Sequence, residues 1–141
     1  MSVTKEEAIE TLHKERCSCV VLNHDELTVC DGPGISDLLR LLNTEPQILE
    51  GAFVADKVIG KAAAALLILG AVKEVYTDLI SDAAVKLLSR TQVKLTFARQ
   101  VPTILNRLKN DICPMEKLCA DALSPKECYD RISKFIASKK Q

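Results

Sequence analysis

From position 62 to 72 every residue except Gly70 is apolar. A helix formed there is apolar on all sides, so other elements must wrap it. The run falls far short of the roughly 20 residues that span a bilayer, which makes it a core helix and argues against a membrane protein. Its flanks set the fold class. Ala52-Phe53-Val54-Ala55 is a brief apolar strand that runs directly into Asp56, and residues 58–69 have helix composition. Gly70 ends that helix. Residues 72–79 read as a second strand, Ser81-Asp82 cap a second helix through Leu88, and Val93-Lys94-Leu95-Thr96-Phe97 alternates as a third strand. Short strands separated by helices of this length require parallel pairing with right-handed crossovers, so helices cover the sheet.

The rest of the chain supplies the edges. Thr4-Lys5-Glu6-Glu7 fits a capping box that opens a helix to about Arg16. Cys19-Val20-Val21-Leu22 and Leu27-Thr28-Val29-Cys30, parted by polar Asn23-His24-Asp25-Glu26, read as a hairpin at the antiparallel edge. Asp31-Gly32-Pro33-Gly34 is turn chemistry and precedes a short helix at Leu38-Leu39-Arg40-Leu41-Leu42. Residues 102–109 are expected to form a helix, and Ser124-Pro125-Lys126-Glu127 opens a terminal one with Tyr129, Ile132, Phe135 and Ile136 on one face. The expectation is an α/β, three-layer architecture with a mixed sheet of about five strands. At 141 residues, one domain buries a full core without staples.

Nineteen basic and nineteen acidic residues cancel, and only two Tyr and three Phe are available to stack on bases. No nucleic acid partner is expected. The start, Met-Ser-Val-Thr-Lys-Glu-Glu, lacks the basic and apolar segments of a secretory signal, so a cytoplasmic location is expected. Six cysteines then read as free thiols. Cys17 and Cys19 would point to opposite faces of a strand, unlike paired zinc ligands, so no metal and no cofactor are expected. A homo-oligomer is compatible with the sequence.

In open α/β sheets, ligands bind beyond the carboxyl ends of the strands. Asp56-Lys57-Val58-Ile59-Gly60-Lys61 reads as a helix start that combines a capping acid, a close-approach glycine and two lysines four residues apart on one helical face. Such a start can hold an anionic group. Alternatively Asp56 only caps, Gly60 only admits a packing neighbour, and Lys57 and Lys61 reach to solvent. It is not a phosphate-binding Walker loop, which needs Gly at 55 and Ser or Thr at 62, where this chain has Ala. A second junction, Thr77-Asp78-Leu79-Ile80-Ser81-Asp82, places Asp78 and Ser81 between strand and helix, but its spacing carries no specific signature, and the favoured reading there is Ser81 or Asp82 as only a cap and Asp78 as only a solvated strand end. A third candidate is Cys113-Pro114-Met115-Glu116, preceded by Asn106-Arg107. A helix N-terminus would stabilise the Cys113 thiolate, and Glu116 could accept a proton; the alternative is a buried, inert Cys113. His13 and His24 lie far along the chain from every candidate, which leaves no Ser-His or Cys-His pair.

The run Val54-Ala55-Asp56-Lys57-Val58-Ile59-Gly60-Lys61-Ala62-Ala63-Ala64, the strand Lys73-Glu74-Val75-Tyr76-Thr77-Asp78-Leu79-Ile80-Ser81, and the segment from Val101-Pro102 through Asn106-Arg107 to Glu116 resemble a small bacterial and archaeal family of unknown function. That family is placed by fold in the cytidine deaminase-like superfamily. The resemblance implies a single deaminase-like domain over residues 1–141; it runs to about Glu116, and residues 119–141 read as a C-terminal helical extension. Zinc deaminases of that superfamily carry His-x-Glu or Cys-x-Glu at one helix start and Pro-Cys-x-x-Cys at the next. Here the corresponding starts read Gly60-Lys61-Ala62-Ala63 and Ser81-Asp82-Ala83-Ala84-Val85, without zinc ligand or catalytic glutamate. The leading expectation is a binding module for a small anionic or nucleotide-like metabolite, with Lys57 and Lys61 as charge partners, Asp56 orienting the loop, and Gly60, Asp78, Ser81 and Asn106 beside it. The alternatives are an enzyme with Cys113 as nucleophile, Glu116 or Asp56 handling a proton and Lys61 stabilising charge, and a structural or partner-binding domain.

Overall fold

The computed structural model describes residues 2–32, 35–106 and 108–139. Pro33 and Gly34 of the expected turn, and Arg107, lie outside the described residues. Helix α1 (Lys5–Lys14) starts as the capping box predicts, with the Thr4 hydroxyl accepting from the Glu7 amide at 3.1 Å. Strands β1 (Cys19–Asn23) and β2 (Glu26–Cys30) form the hairpin, and His24 and Asp25 turn it with φ of 51° and 62°. Two successive left-handed residues match the right-handed twist of the flanking strands. Then follow α2 (Ser36–Thr44), the short α3 (Pro46–Leu49), β3 (Phe53–Ile59), α4 (Lys61–Leu69), β4 (Glu74–Ser81), α5 (Asp82–Ser89), β5 (Lys94–Val101), α6 (Pro114–Cys119) and α7 (Pro125–Lys139).

The five strands form one mixed sheet in the order β2-β1-β3-β4-β5. β1 is antiparallel to both neighbours, and β3, β4 and β5 run parallel. Apolar side chains leave the sheet on both faces. Val20, Phe53 and Ala55 meet Ala8 and Leu12 of α1 on one face. Cys19, Val21, Val54, Val75 and Ile80 join Leu66, Leu67, Leu88 and Ile132 on the other. Helix α4 lies within that second layer, flanked by α2, α5, α6 and α7. Ala62 through Leu67 are all nearly fully buried, as an all-round apolar helix requires.

Three expectations are corrected. Residues 56–59 are not a helix start: β3 continues through Ile59, and α4 begins only at Lys61. Asp78 is likewise inside β4 rather than at its end. Residues 102–109 form no helix among those described, but a bend closed by a Leu105–Ile112 bridge. The first two share one physical cause. Core-facing residues in β3 are Val54 and then Ile59, and in β4 Val75 and then Ile80. A spacing of five is odd, so the side-chain alternation shifts by one residue within each strand. The register accordingly omits Lys57 and Asp78. At the shift, Asp56 Oδ1 accepts from the Val58 amide at 3.3 Å, and the Thr77 hydroxyl donates to the Leu79 carbonyl at 3.0 Å. The side chains supply hydrogen bonds where the alternation breaks.

Candidate functional site

At the carboxyl end of β3, a cavity of about 490 Å³ opens between β3, the starts of β1, α2 and α4, and α6. Asp56, Lys57, Gly60, Cys113 and Glu116 all line it. Val58, Ile35, Ile104 and Met115 supply much of the apolar wall, and Ala62 and Ala63 form the α4 side. The parallel strands place β3 here. The turn of chain after β5 brings Ile104 and then α6 back over the β3 end.

Asp56 is 7% exposed and faces no ammonium or guanidinium group in a hydrogen bond or ion pair among the described residues. Burial pushes its carboxyl up from 3.8 to about 7, against the opposing effect of backbone hydrogen bonds from Val58 and Lys57; the charge on Asp78 pushes the same way as burial. Water can solvate a carboxylate but an apolar wall cannot, so the neutral form is favoured.

Glu116 is the true cap of α4. Gly60 at the N-cap has no side chain, and the Lys61 amide donates instead to Glu116 Oε1 at 2.8 Å. The second oxygen accepts from the Thr103 hydroxyl and the Ile104 amide, both at 3.3 Å. A Cβ on residue 60 would lie 2.7 Å from Glu116 Oε1, so the glycine admits the carboxylate from another helix. Cys113 is half-buried and occupies the N-cap of α6 without making a side-chain cap bond; Pro114 follows at the first helical position.

The remaining expected site residues lie elsewhere. The Lys61 ammonium turns from the cavity and donates to the carbonyls of Ala120 and Ala122 at 3.2 and 2.7 Å, so Lys57 and Lys61 do not share a helical face. The Lys57 ammonium reaches the Glu15 carbonyl at 3.4 Å. Ser81 is buried and caps α5, with its hydroxyl accepting from the Ala84 amide at 3.2 Å. Asn106 holds a turn with Asn110. Asp78 faces the α1 side, where its Oδ1 meets His13 Nε2 at 2.8 Å and accepts from the Tyr76 hydroxyl at 2.6 Å. That bond pushes the Tyr76 phenol up to about 12. His13 is thus next to a candidate residue from which 65 positions separate it. Sequence reasoning also missed Ser18, Ile35 and Ile104 as cavity residues, and it quoted Val58 and Met115 within its candidate runs without giving them a role. Only strand pairing and the return of α6 bring them together.

Residues 7–136 match the family model described as "TM1506: Domain of unknown function (DUF1893)". The match continues through most of α7, past the Glu116 limit of the resemblance drawn from sequence. Among solved structures, the chain is similar to the crystal structure of a DUF1893 family protein (TM1506) from Thermotoga maritima, with 25% identity, 97% of this chain and 92% of that chain covered, and a TM-score of 0.83. No curated protein matches.

Proposed function

Because the chain belongs to the DUF1893 family, a domain of unknown function, we propose a function from the chemistry of its own site: the cavity at Asp56 binds a small nucleotide-like metabolite without a metal ion. The observation that carries this reading is Asp56, a buried carboxyl in a largely apolar cavity with no cation bonded to it among the described residues. Such a group has hydrogen-bonding capacity to offer, and a planar ring with N–H donors at its edge would use it while filling the space against Val58, Ile104 and Met115. An anionic portion would meet Lys57, which lines the cavity and whose ammonium makes one long bond to the Glu15 carbonyl, whereas the Lys61 ammonium lies outside the cavity between two carbonyls.

The same reading takes the fold as deaminase-like. The antiparallel hairpin beside three parallel strands supports it, as does the position of the cavity at the start of α4. The residues do not fit zinc. Ala62 and Ala63 stand on the cavity wall, and among the described residues no three His, Cys, Asp or Glu side chains come together to hold a metal ion. A cysteine-dependent reaction is the weaker reading. Cys113 lines the cavity, but Glu116 spends both oxygens on structural hydrogen bonds and no histidine lines the wall.

A thermal-shift series with nucleosides, nucleotides and sugar phosphates tests the proposal. At least one nucleoside or nucleotide should raise the melting temperature of the wild type, and Asp56→Asn, which keeps the shape, should abolish the rise. Lys57→Ala should weaken nucleotides more than the matching nucleosides. If no compound stabilises the protein, or if Asp56→Asn responds like the wild type, the cavity does not have this role.

A further inference from the structure

The two ends of the sheet carry opposite charge. Residues 1–56 hold four Lys and Arg against eleven Asp and Glu, whereas residues 57–141 hold fifteen against eight. The strand order β2-β1-β3-β4-β5 sets β2, from the acidic part, at one edge and β5, from the basic part, at the other. Glu26 opens β2 and Asp31 follows its end, and both are exposed. Lys94 and Arg99 are exposed on β5, with Lys86 on α5 and Arg90 at its C-cap exposed beside them. None of these six forms an ion pair among the described residues. Asp82, the acid of α5, accepts from the Gln100 side-chain amide at 2.8 Å.

Both edges are also short of neighbours. β5 runs parallel to β4, and parallel strands are ordinarily covered on both faces. Here no residue of β5 is buried, Phe97 is 39% exposed, and helix α1 lies over β1 and β3 instead. At the other end β2 pairs with β1 alone, and its Val29 is 47% exposed. An unpaired edge presents a row of amides and carbonyls to any strand that can lie alongside. Charge decides which strand that is. Two β5 edges would bring cations together and two β2 edges would bring carboxylates together, so both two-fold pairings are repelled, whereas a β5 edge and a β2 edge attract. Five positions separate Glu26 from Asp31 and five separate Lys94 from Arg99. A single register therefore sets both unlike pairs level, whichever way the strands run.

We propose that the β5 edge of one copy of this chain receives the β2 edge of another, with Lys94 and Arg99 meeting Glu26 and Asp31 and the sheet continuing from copy to copy. Different edges meet, so the contact is head-to-tail and repeats into a ring or a row rather than stopping at two copies. The backbone ladder supplies the attachment, and the four charged residues select the partner edge.

Sedimentation of the full chain tests this. Between micromolar and millimolar protein the weight-average mass should rise past that of two chains at about 0.01 M salt and fall back at about 1 M, where the screening length has shrunk from about 30 Å to about 3 Å. Lys94→Glu with Arg99→Glu makes both edges acidic, and Glu26→Lys with Asp31→Lys makes both basic. Each double variant, with the circular dichroism of the wild type, should stay a single chain by itself. An equimolar mixture of the two should associate again, because each edge then finds its opposite in the other variant. In the wild type, a carbodiimide should couple the Lys94 amine of one chain to the carboxylate of Glu26 or Asp31 in another. A wild type that stays a single chain at low salt overturns the proposal. So does a plateau at two copies, a mixture that does not associate, or coupling between chains that never joins Lys94 to either carboxylate.

Discussion

Asp56 combines two demands that oppose one another: it sits in a strand whose core face is apolar, and it carries a group that is charged in water at neutral pH. Its carboxyl stands at about 7 in the folded protein against an ordinary 3.8, chiefly through burial. The folded state therefore holds the proton more tightly than the unfolded chain. The resulting stabilisation is complete below about pH 4 and is lost as pH rises through about 7, an effect on the order of 4 kcal/mol. Asp111 and Asp121 are held low by the Lys117 and Arg131 groups they bond, so they act in a more acidic window. Urea unfolding at pH 5 and pH 8 is expected to show the wild type less stable at pH 8, with most of that loss absent in Asp56→Asn. Equal losses in both proteins would assign the pH dependence to other groups.

At the scale of elements, the start of α4 is completed by a different helix. Its first amide, the Ile104 amide and the Thr103 hydroxyl all end on one carboxylate from α6. Removing that group strands buried donors, and Glu116→Ala is expected to cost about 2–4 kcal/mol in a urea titration. Gly60→Ala approaches the same carboxylate from the other side. Its added methyl overlaps Glu116 Oε1 and is expected to cost about 1–3 kcal/mol by overpacking. If the clash is the cause, the double variant should cost clearly less than the two single costs together, because the neighbours share one contact. Additive losses would mean that Gly60 matters for its backbone alone. The sequence signals of this region, an acid, a glycine and two lysines in a row, resemble a helix start. A strand with one shift in its alternation places the same residues differently.

At the scale of the whole molecule, α7 closes the layer around α4. Ile132 is fully buried in the same cluster as Leu66, Leu67 and Leu88. Ile132→Ala is expected to lower the unfolding free energy by about 2–5 kcal/mol, measured by the urea midpoint at constant slope. A loss under about 1 kcal/mol, the size expected at a surface position, would make α7 an appendage. Much of the architecture was legible in local patterns. An apolar helix that must be wrapped, short strands parted by helices, a capping box at Thr4 and a polar hairpin turn each act over a few residues, and together they determined a mixed five-strand sheet covered by helices. The convergence of Asp56, Gly60, Cys113 and Glu116 was only partly legible. The sequence marked all four residues, but their contact depends on chain return over more than 50 positions, and nothing local encodes that distance. Tertiary structure alone decided that Asp56 would be buried with no cation bonded to it among the described residues, that Lys61 would turn to the carbonyls just after α6, and that Asp78 would meet His13 across the other face of the sheet. Charge and hydrogen-bond partners of this kind are set by which elements pack together, so the residue types could be read in advance while their chemistry could not.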